Sequence, residues 1–487
     1  MQEKKFEQKT SLVKDVAKVA SGTAIAQLVA IVISPILTRL YSAEAFGILG
    51  FYLSVIGIIS VNSTLRYHLA ILLPEDDKDA GSIVGLSFIS TTVVSGVIGV
   101  AIFLMSDFLE DWFKVSLNPT IYLIIPIAIF LDASLLIFRH WHIRMRSYST
   151  AAIGDASQSL SSSSAQLGFG FTGLVEGIHM VYSSIIGLLI SFLVYLKTLP
   201  AKEILFSEHL FDIKRMKSQA ILYKKFPLYS TIAGVINKLA WELPSFMLLG
   251  FFNPAVLGFY VLGHRLLRLP VSLIGSSIGE VYFERGAKAY KKGTLNEITE
   301  LVQKRLVQAG FFPFFVLSFV GEDLFSTFFG IEWATAGLYS QILALWTFIW
   351  FMTSPNTTIY SITNNQDKMF KIQILLFVLR FIGLGIGGLL DSAVLAIALF
   401  AVAGILGYGI LLTHLSSIAK VSPLLIIKEI SSLWLPCIIF TIVIVPSLIY
   451  DISPWWVTGI SVISVILYYP YIFWKEPELR IMLKRLV

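Results

Sequence analysis

Apolar segments long enough to cross a bilayer recur from one end of this chain to the other. A hydrocarbon core of roughly 30 Å takes about 20 residues of helix. No water there can satisfy an open backbone, so each such segment is confined to a helix. The expected fold is therefore an all-α polytopic membrane protein. Composition agrees: 56% of the 487 residues are hydrophobic and 14% charged, where a soluble domain carries about a quarter charged. Fourteen spans are expected, near 17–38, 44–65, 79–105, 119–140, 150–172, 175–197, 226–250, 255–281, 304–321, 334–360, 369–390, 392–413, 433–449 and 455–474, with twelve as the nearest alternative. The fifth is the weakest, because it contains SQSLSSSSAQ (157–166). The basic N-terminus ahead of an apolar run resembles a signal peptide, but the run has full span length and no small-residue cleavage site; it reads as a retained first helix. Cys437 is the sole cysteine, which excludes an internal disulfide and a cysteine-based metal site.

The net charge of +6 invites a nucleic-acid reading, which its distribution removes. With the N-terminus inside, the inner segments hold 31 of the 37 Lys and Arg and the outer ones only Arg39 and Lys114. That bias orients the chain with both termini cytoplasmic. Four basic residues remain, all within spans: Lys238, Arg265, Arg268 and Arg380. The outer loops stay under about 15 residues and the longest inner one, near 198–225, under about 30, with no Gly-rich phosphate loop and no D-x-D carboxylate pair. The reading is a transporter rather than an enzyme.

The halves echo each other. ISPILTRLYSAEAFGILGFY (33–52) and ELPSFMLLGFFNPAVLGFY (242–260) both run span, proline, short outer turn, then an apolar residue and glycine, Phe46-Gly47 and Leu257-Gly258, opening the next span. Six spans separate the copies, so both point the same way. The pattern predicts two pseudo-symmetric six-helix lobes around a central cavity, plus two C-terminal helices, a known transporter plan. The corresponding boundaries are 1–198 for the first lobe, 199–225 for a cytoplasmic linker, 226–415 for the second lobe, 430–475 for the appended helices and 476–487 for a tail.

Arg265 and Arg268 are three apart and share a helix face, as do Lys238 and Glu242, four apart. A charge at mid-span costs about 2.5–3.5 kcal/mol, so three facing lipid would cost roughly 8–10 kcal/mol. They are expected to face a polar interior, where one Glu242 leaves a positive excess. The functional reading is an anion site, guanidinium forks being suited to phosphate oxygens. The structural reading pairs Glu242 with Lys238 or an arginine. Arg380 is a further substrate candidate, a partner for Asp132, or a packing residue. Glu242, Asp132 and Asp155 are candidates for H⁺ or Na⁺ coupling or for pairing. Gln158, Ser161 and Gln166 either touch sugar hydroxyls or belong to a small-residue packing face. His140 and His142, two apart on a helix, diverge and do not converge on a metal. EDDKD (75–79) and EDW (110–112) read as solvated loops.

PILTRLYSAEAFG (35–47), LRYHLAILLP (65–74), VLGFYVLGHRLLRLPVSLIGSSIGEVYFERG (256–286) and FGIEWATAGLYSQILALW (329–346) resemble the Wzx-type polysaccharide flippases of the multidrug/oligosaccharidyl-lipid/polysaccharide exporter superfamily. The resemblance covers most of the first 365 residues; the last 120 match in pattern only. It implies fourteen spans, a V-shaped pair of lobes and an undecaprenyl-diphosphate-linked oligosaccharide flipped from the cytoplasmic to the periplasmic leaflet for O-antigen, capsule or exopolysaccharide assembly. It also implies a bacterial inner membrane, no cofactor, and polysaccharide polymerase and other assembly proteins as partners. Ala43 stands where the family usually has Pro, and His68 where an acid is frequent; Arg265 falls where the pattern tends to be basic. A peptidoglycan lipid-precursor flippase, a drug/cation antiporter and a non-transporting scaffold are the competing readings. Sugar identity has no signature in the sequence.

Overall fold

The structure is a computed structural model and describes residues 27, 29–108, 120–201, 210–450 and 452–476. The expected loop EDW and the basic clusters before residue 27 and after 476 lie outside these residues. Among the described residues every regular element is a helix. By packing the chain divides into two compact units, Met1–Gly258 and Phe259–Val487. The repeat-derived boundaries are an expectation of a different kind, about internal similarity, and packing does not test them.

The first unit contains α1 (Val29–Leu40), α2 (Ala43–Ser63), α3 (Asp77–Leu104), α4 (Thr120–Arg144), α5 (Tyr148–Phe171), α6 (Gly177–Lys197), the short α7 (Ile213–Leu222), α8 (Thr231–Phe251) and the first turn of α9 (Pro254–Pro270). The second contains the rest of α9, α10 (Ser276–Lys292), α11 (Leu295–Phe329), α12 (Ala334–Thr353), α13 (Gln366–Leu389), α14 (Ala393–Ala419), α15 (Leu424–Ser431), α16 (Trp434–Ile449) and α17 (Pro454–Lys475). Side chains set several boundaries: Ser42, Asp76 and Asp212 accept first-turn amides of α2, α3 and α7, the usual satisfaction of orphan N–H groups.

Among the described residues, eleven helices are long and apolar enough to cross a membrane, twelve if the bent pair α15–α16 counts as one span. This is a multi-pass membrane protein. Two further helices coincide with expected spans: α1, which is short, and α5, whose serines dilute its apolarity. Helices thus stand at the fourteen expected places so far as these are described, but only eleven or twelve of them have the length and apolarity of a span. Two differ in extent. The segment 255–281 is not one helix, because Pro270 removes an N–H and a π-turn at Val271–Gly275 separates α9 from α10. The expected 304–321 is the middle of α11, which is kinked at Val320, where the backbone is non-helical (φ −121°, ψ 15°); its polar first turns extend past any apolar core.

The string EDDKD is a solvated loop only in part: Glu75, Asp76 and Lys78 are exposed, but Asp77 already opens α3 and the aspartates are ion-paired. Asp77 pairs with Arg144 at 2.8 Å, and the same guanidinium donates to the carbonyls of Ile71 and Pro74 at 3.0 and 2.8 Å. Asp76 and Asp79 pair with Arg215 of α7, which also meets its own N-cap Asp212. These contacts tie the start of α3 to the end of α4 and to α7.

Candidate functional site

In the first unit, α2 lies antiparallel along α8 and the start of α9. At one end the backbones meet at the two glycines of the repeated motif. A Cβ on Gly47 would lie 1.8 Å from the Pro254 carbonyl oxygen, and one on Gly258 1.8 Å from that of Ala43. Each oxygen belongs to the residue four before the opposite glycine, so the crossing is reciprocal. Further along, Phe51 meets Phe246 edge-on at 5.5 Å. The Ser54 hydroxyl donates to Glu242 at 2.8 Å. At the far end Asn62 and Arg66 cover Gly234, where a Cβ would lie 2.0 Å from Arg66 Nη2.

This seam collects three of the predicted polar residues. On another side of α2, Ser60 donates to Asp132 Oδ2 at 2.5 Å. Lys238 is the charged neighbour that acts electrostatically on Asp132. Lys238, Glu242 and Asp132 are all half-buried, and a serine of α2 steadies each carboxylate by a charge-assisted bond. Lys238 and Glu242 share a face of α8 but form no ion pair, and Glu242 is held by Ser54 instead.

In the second unit, the guanidinium-bearing face of α9 exposes both Arg265 and Arg268. Between them and the interior stands His264, stacked with Tyr260, Trp346 and Trp350 at ring distances of 5.3, 5.9 and 6.2 Å. Arg268 and Arg380 both act electrostatically on His264, so α9 and α13 bring these two arginines to one neighbourhood. Arg380 is 5% exposed and lies 5.2, 5.0 and 5.4 Å from the ring centroids of Trp346, Phe400 and Tyr408. Its immediate shell is aromatic, and it ties α13 to α12 and α14 by cation–π contact. Among the described residues no carboxylate lies at ion-pairing distance from Lys238, Arg265 or Arg268.

The other candidates lie apart, on α5. Asp155 pairs with Arg139 at 3.4 Å and accepts from the Tyr195 hydroxyl at 2.8 Å. The Ser161 hydroxyl returns to the Ser157 carbonyl of its own helix. The Gln158 carbonyl would be 2.7 Å from a Cβ on Gly187 of α6, and the Gln166 carbonyl accepts from Tyr41 at 2.7 Å. The Gln158 and Gln166 contacts are made by backbone carbonyls and do not choose between the two readings of their side chains. His140 and His142 do diverge: one ring faces His68 at 4.9 Å, the other Tyr195 at 5.0 Å.

Sequence reasoning passed over Ser54, Ser60 and His264. A signal existed for the first two, hydroxyls inside an apolar span, but nothing in it gave their partners.

A family model described as polysaccharide biosynthesis protein matches residues 12–283, more than half of the chain. No curated protein matches. Solved structures share the fold. A lipid II flippase MurJ in an inward closed conformation has a TM-score of 0.71 at 12% identity, covering 94% of this chain and 99% of its own. An inward-facing multidrug resistance MATE family transporter of the MOP superfamily has a TM-score of 0.62 at 14% identity, covering 81% and 96%. A MOP superfamily transporter from Pyrococcus furiosus, described as having a binding pocket of reverse polarity, has a TM-score of 0.51 at 12% identity, covering 83% and 96%. Such identities speak for the fold alone. With membrane-spanning helices throughout, the fold of the multidrug/oligosaccharidyl-lipid/polysaccharide exporters and a family match over most of its first 283 residues, this chain belongs to the polysaccharide biosynthesis protein family.

Proposed function

We propose that this protein carries undecaprenyl-diphosphate-linked oligosaccharide repeat units from the cytoplasmic to the periplasmic leaflet of a bacterial inner membrane, by alternating access, for O-antigen, capsule or exopolysaccharide assembly. The observation that carries the proposal is a set of cations without ion pairs: Lys238, Arg265 and Arg268 belong to membrane-spanning helices and, among the described residues, have no carboxylate at ion-pairing distance, Asp132 being only a more distant electrostatic neighbour of Lys238.

The physical obstacle to flipping is the head group. An unpaired charge in hydrocarbon costs tens of kcal/mol by continuum solvation. Basic side chains at mid-depth replace the lost hydration with fixed donors, and arginine presents them in a fork that fits two phosphate oxygens. The prenyl chain needs no such help and stays in lipid. Lys238 in the first unit, and Arg265 and Arg268 in the second, each attract a diphosphate without holding it irreversibly. An inside-negative potential favours outward movement of an anion by about 2.3 kcal/mol per charge per 100 mV. Asp132 and Glu242, each seated on a serine of α2, are the groups through which H⁺ or Na⁺ coupling would act. Arg380 contributes to packing rather than to the head group. Both termini are cytoplasmic in this arrangement, and a polysaccharide polymerase is the partner that would receive the product.

The test is flipping of a fluorescent lipid-linked oligosaccharide in liposomes. Arg265→Ala abolishes it while the protein level and thermal stability stay at wild type. Undiminished flipping by this variant would overturn the anion-site reading. A second reading is a peptidoglycan lipid-precursor flippase, since the chain shares the fold of the lipid II flippase; it predicts transport of lipid II in the same liposomes.

A further inference from the structure

We propose that Arg66 is a second anion station, which engages the diphosphate of the lipid-linked substrate at the end of α2 expected to face the cytoplasm and passes it toward Lys238. The proposal rests on the transport reading above for the identity of the ligand, though not for the existence of the site.

Leu65 and Arg66 are consecutive non-glycine residues in the left-handed region, at φ 49° and 60°, an arrangement that L side chains rarely adopt. This turn sends the Arg66 side chain back along α2 instead of outward. Its guanidinium rests on Gly234, one of few positions on α8 that could admit it: a Cβ there would meet Nη2 at 2.0 Å and Asn62 Oδ1 at 2.7 Å. Counted from Phe226, Gly234 is about 12 Å along the helix axis. The side chain therefore reaches well inside the span that its own backbone has left.

Its surroundings supply no counter-charge. Among the described residues only Nε–H is engaged, donating to Asn62 Oδ1 at 3.3 Å, out of the five donors of a guanidinium. Asn62 and His68 are polar neighbours of Arg66. His68 bonds to Thr64 at 2.5 Å, and burial, then His140 and Arg66, push it down to about 3, so it is neutral at physiological pH. Three other arginines of this unit, Arg139, Arg144 and Arg215, have carboxylate partners, whereas Arg39 and Arg146, like Arg66, have none among the described residues. Lys238 lies one turn beyond Gly234 on α8, about 6 Å along the axis. A diphosphate leaving Arg66 thus meets the next cation within its own dimensions.

The competing reading is a latch that only fastens α2 to α8. Binding separates the two. The purified protein is titrated with undecaprenyl diphosphate, with undecaprenol as the phosphate-free control, and its thermal stability is recorded alongside. Arg66→Ala weakens undecaprenyl diphosphate binding about tenfold, the loss of one bidentate contact, and leaves undecaprenol binding unchanged. Gly234→Ala, which displaces the guanidinium without removing it, gives the same loss, and Arg66→Lys restores part of it. In liposomes Arg66→Ala raises the half-saturating substrate concentration without a matching fall in the maximal rate. Unchanged diphosphate affinity in both the Arg66 and Gly234 variants, with or without lowered thermal stability, overturns the station and leaves a latch. If Arg66→Ala weakens diphosphate binding while Arg265→Ala still flips normally, the station stands and the transport reading falls.

Discussion

The basic side chains of this protein fall into two populations. Several near helix ends are matched to carboxylates, though Arg66 is not: Arg144 to Asp77, Arg215 to Asp76, Asp79 and Asp212, Arg139 to Asp155, Lys304 and Arg305 to Glu476. Within the spans, Lys238, Arg265 and Arg268 have no such match among the described residues. Where the fold needs a cation for fastening, it supplies an acid close by, even though the desolvation there is mild. Where desolvation is severe, the acid is withheld. A partly hydrated neighbourhood and a visiting anion account for the second population; fastening accounts for the first.

Supplying the missing acid should erase the difference. Val261 lies four residues before Arg265 on α9, the favourable order for a glutamate–arginine pair. Val261→Glu is expected to lower flipping at least tenfold, because the new carboxylate occupies the fork, with thermal stability unchanged or raised; a flipping rate within about twofold of wild type would mean that Arg265 is not the group that counts. Removing a matched cation should do the reverse. Arg144→Ala breaks an ion pair and two carbonyl contacts of a side chain only 10% exposed. It should destabilise the first unit by about 2 kcal/mol, discounted because Asp77 is partly solvated, while protein that remains folded still flips. A loss of flipping without loss of thermal stability would move Arg144 into the second population. The smallest effect concerns His68. Its folded pKa, about 3, lies below the unfolded value near 6.5. The unfolded state therefore binds more protons between the two values, and stability falls as pH drops through that window, by up to about 1.4 kcal/mol per unit. His68→Gln should flatten the thermal-stability profile between pH 6.5 and 5.5; an unaltered slope would show that other groups govern it.

Much of the fold was legible because lipid imposes one solution on an apolar run, and the ends of most spans follow from that. The breaks were not: Pro270 announced a boundary, but a run of apolar residues on both sides masked it. The polar length of α11 was lost for the opposite reason, since residues such as Glu297, Glu300 and Lys304 read as loop although they continue a helix. In the site, residue type identified the cations. Partners were hidden, because a hydroxyl and its acid stand far apart in sequence: Ser54 and Glu242 are separated by 188 positions, Ser60 and Asp132 by 72. The acidic string at 75–79 misled in the same way. Charge density marks solvent unless the matching cation, here 67 and 136 positions away, is known.

The mutual notch of Gly47 and Gly258 has a mechanical consequence. Two backbones touching at carbonyl and Cα, with no side chains meshed between them, can scissor about that point with little repacking. The rest of the α2–α8 seam is then a lever. From Gly47 to Ser63, where α2 ends, the arm is roughly 24 Å, so a rotation of about 5° at the fulcrum would carry the far end about 2 Å, enough to part a hydroxyl from a carboxylate or a guanidinium from its glycine cradle.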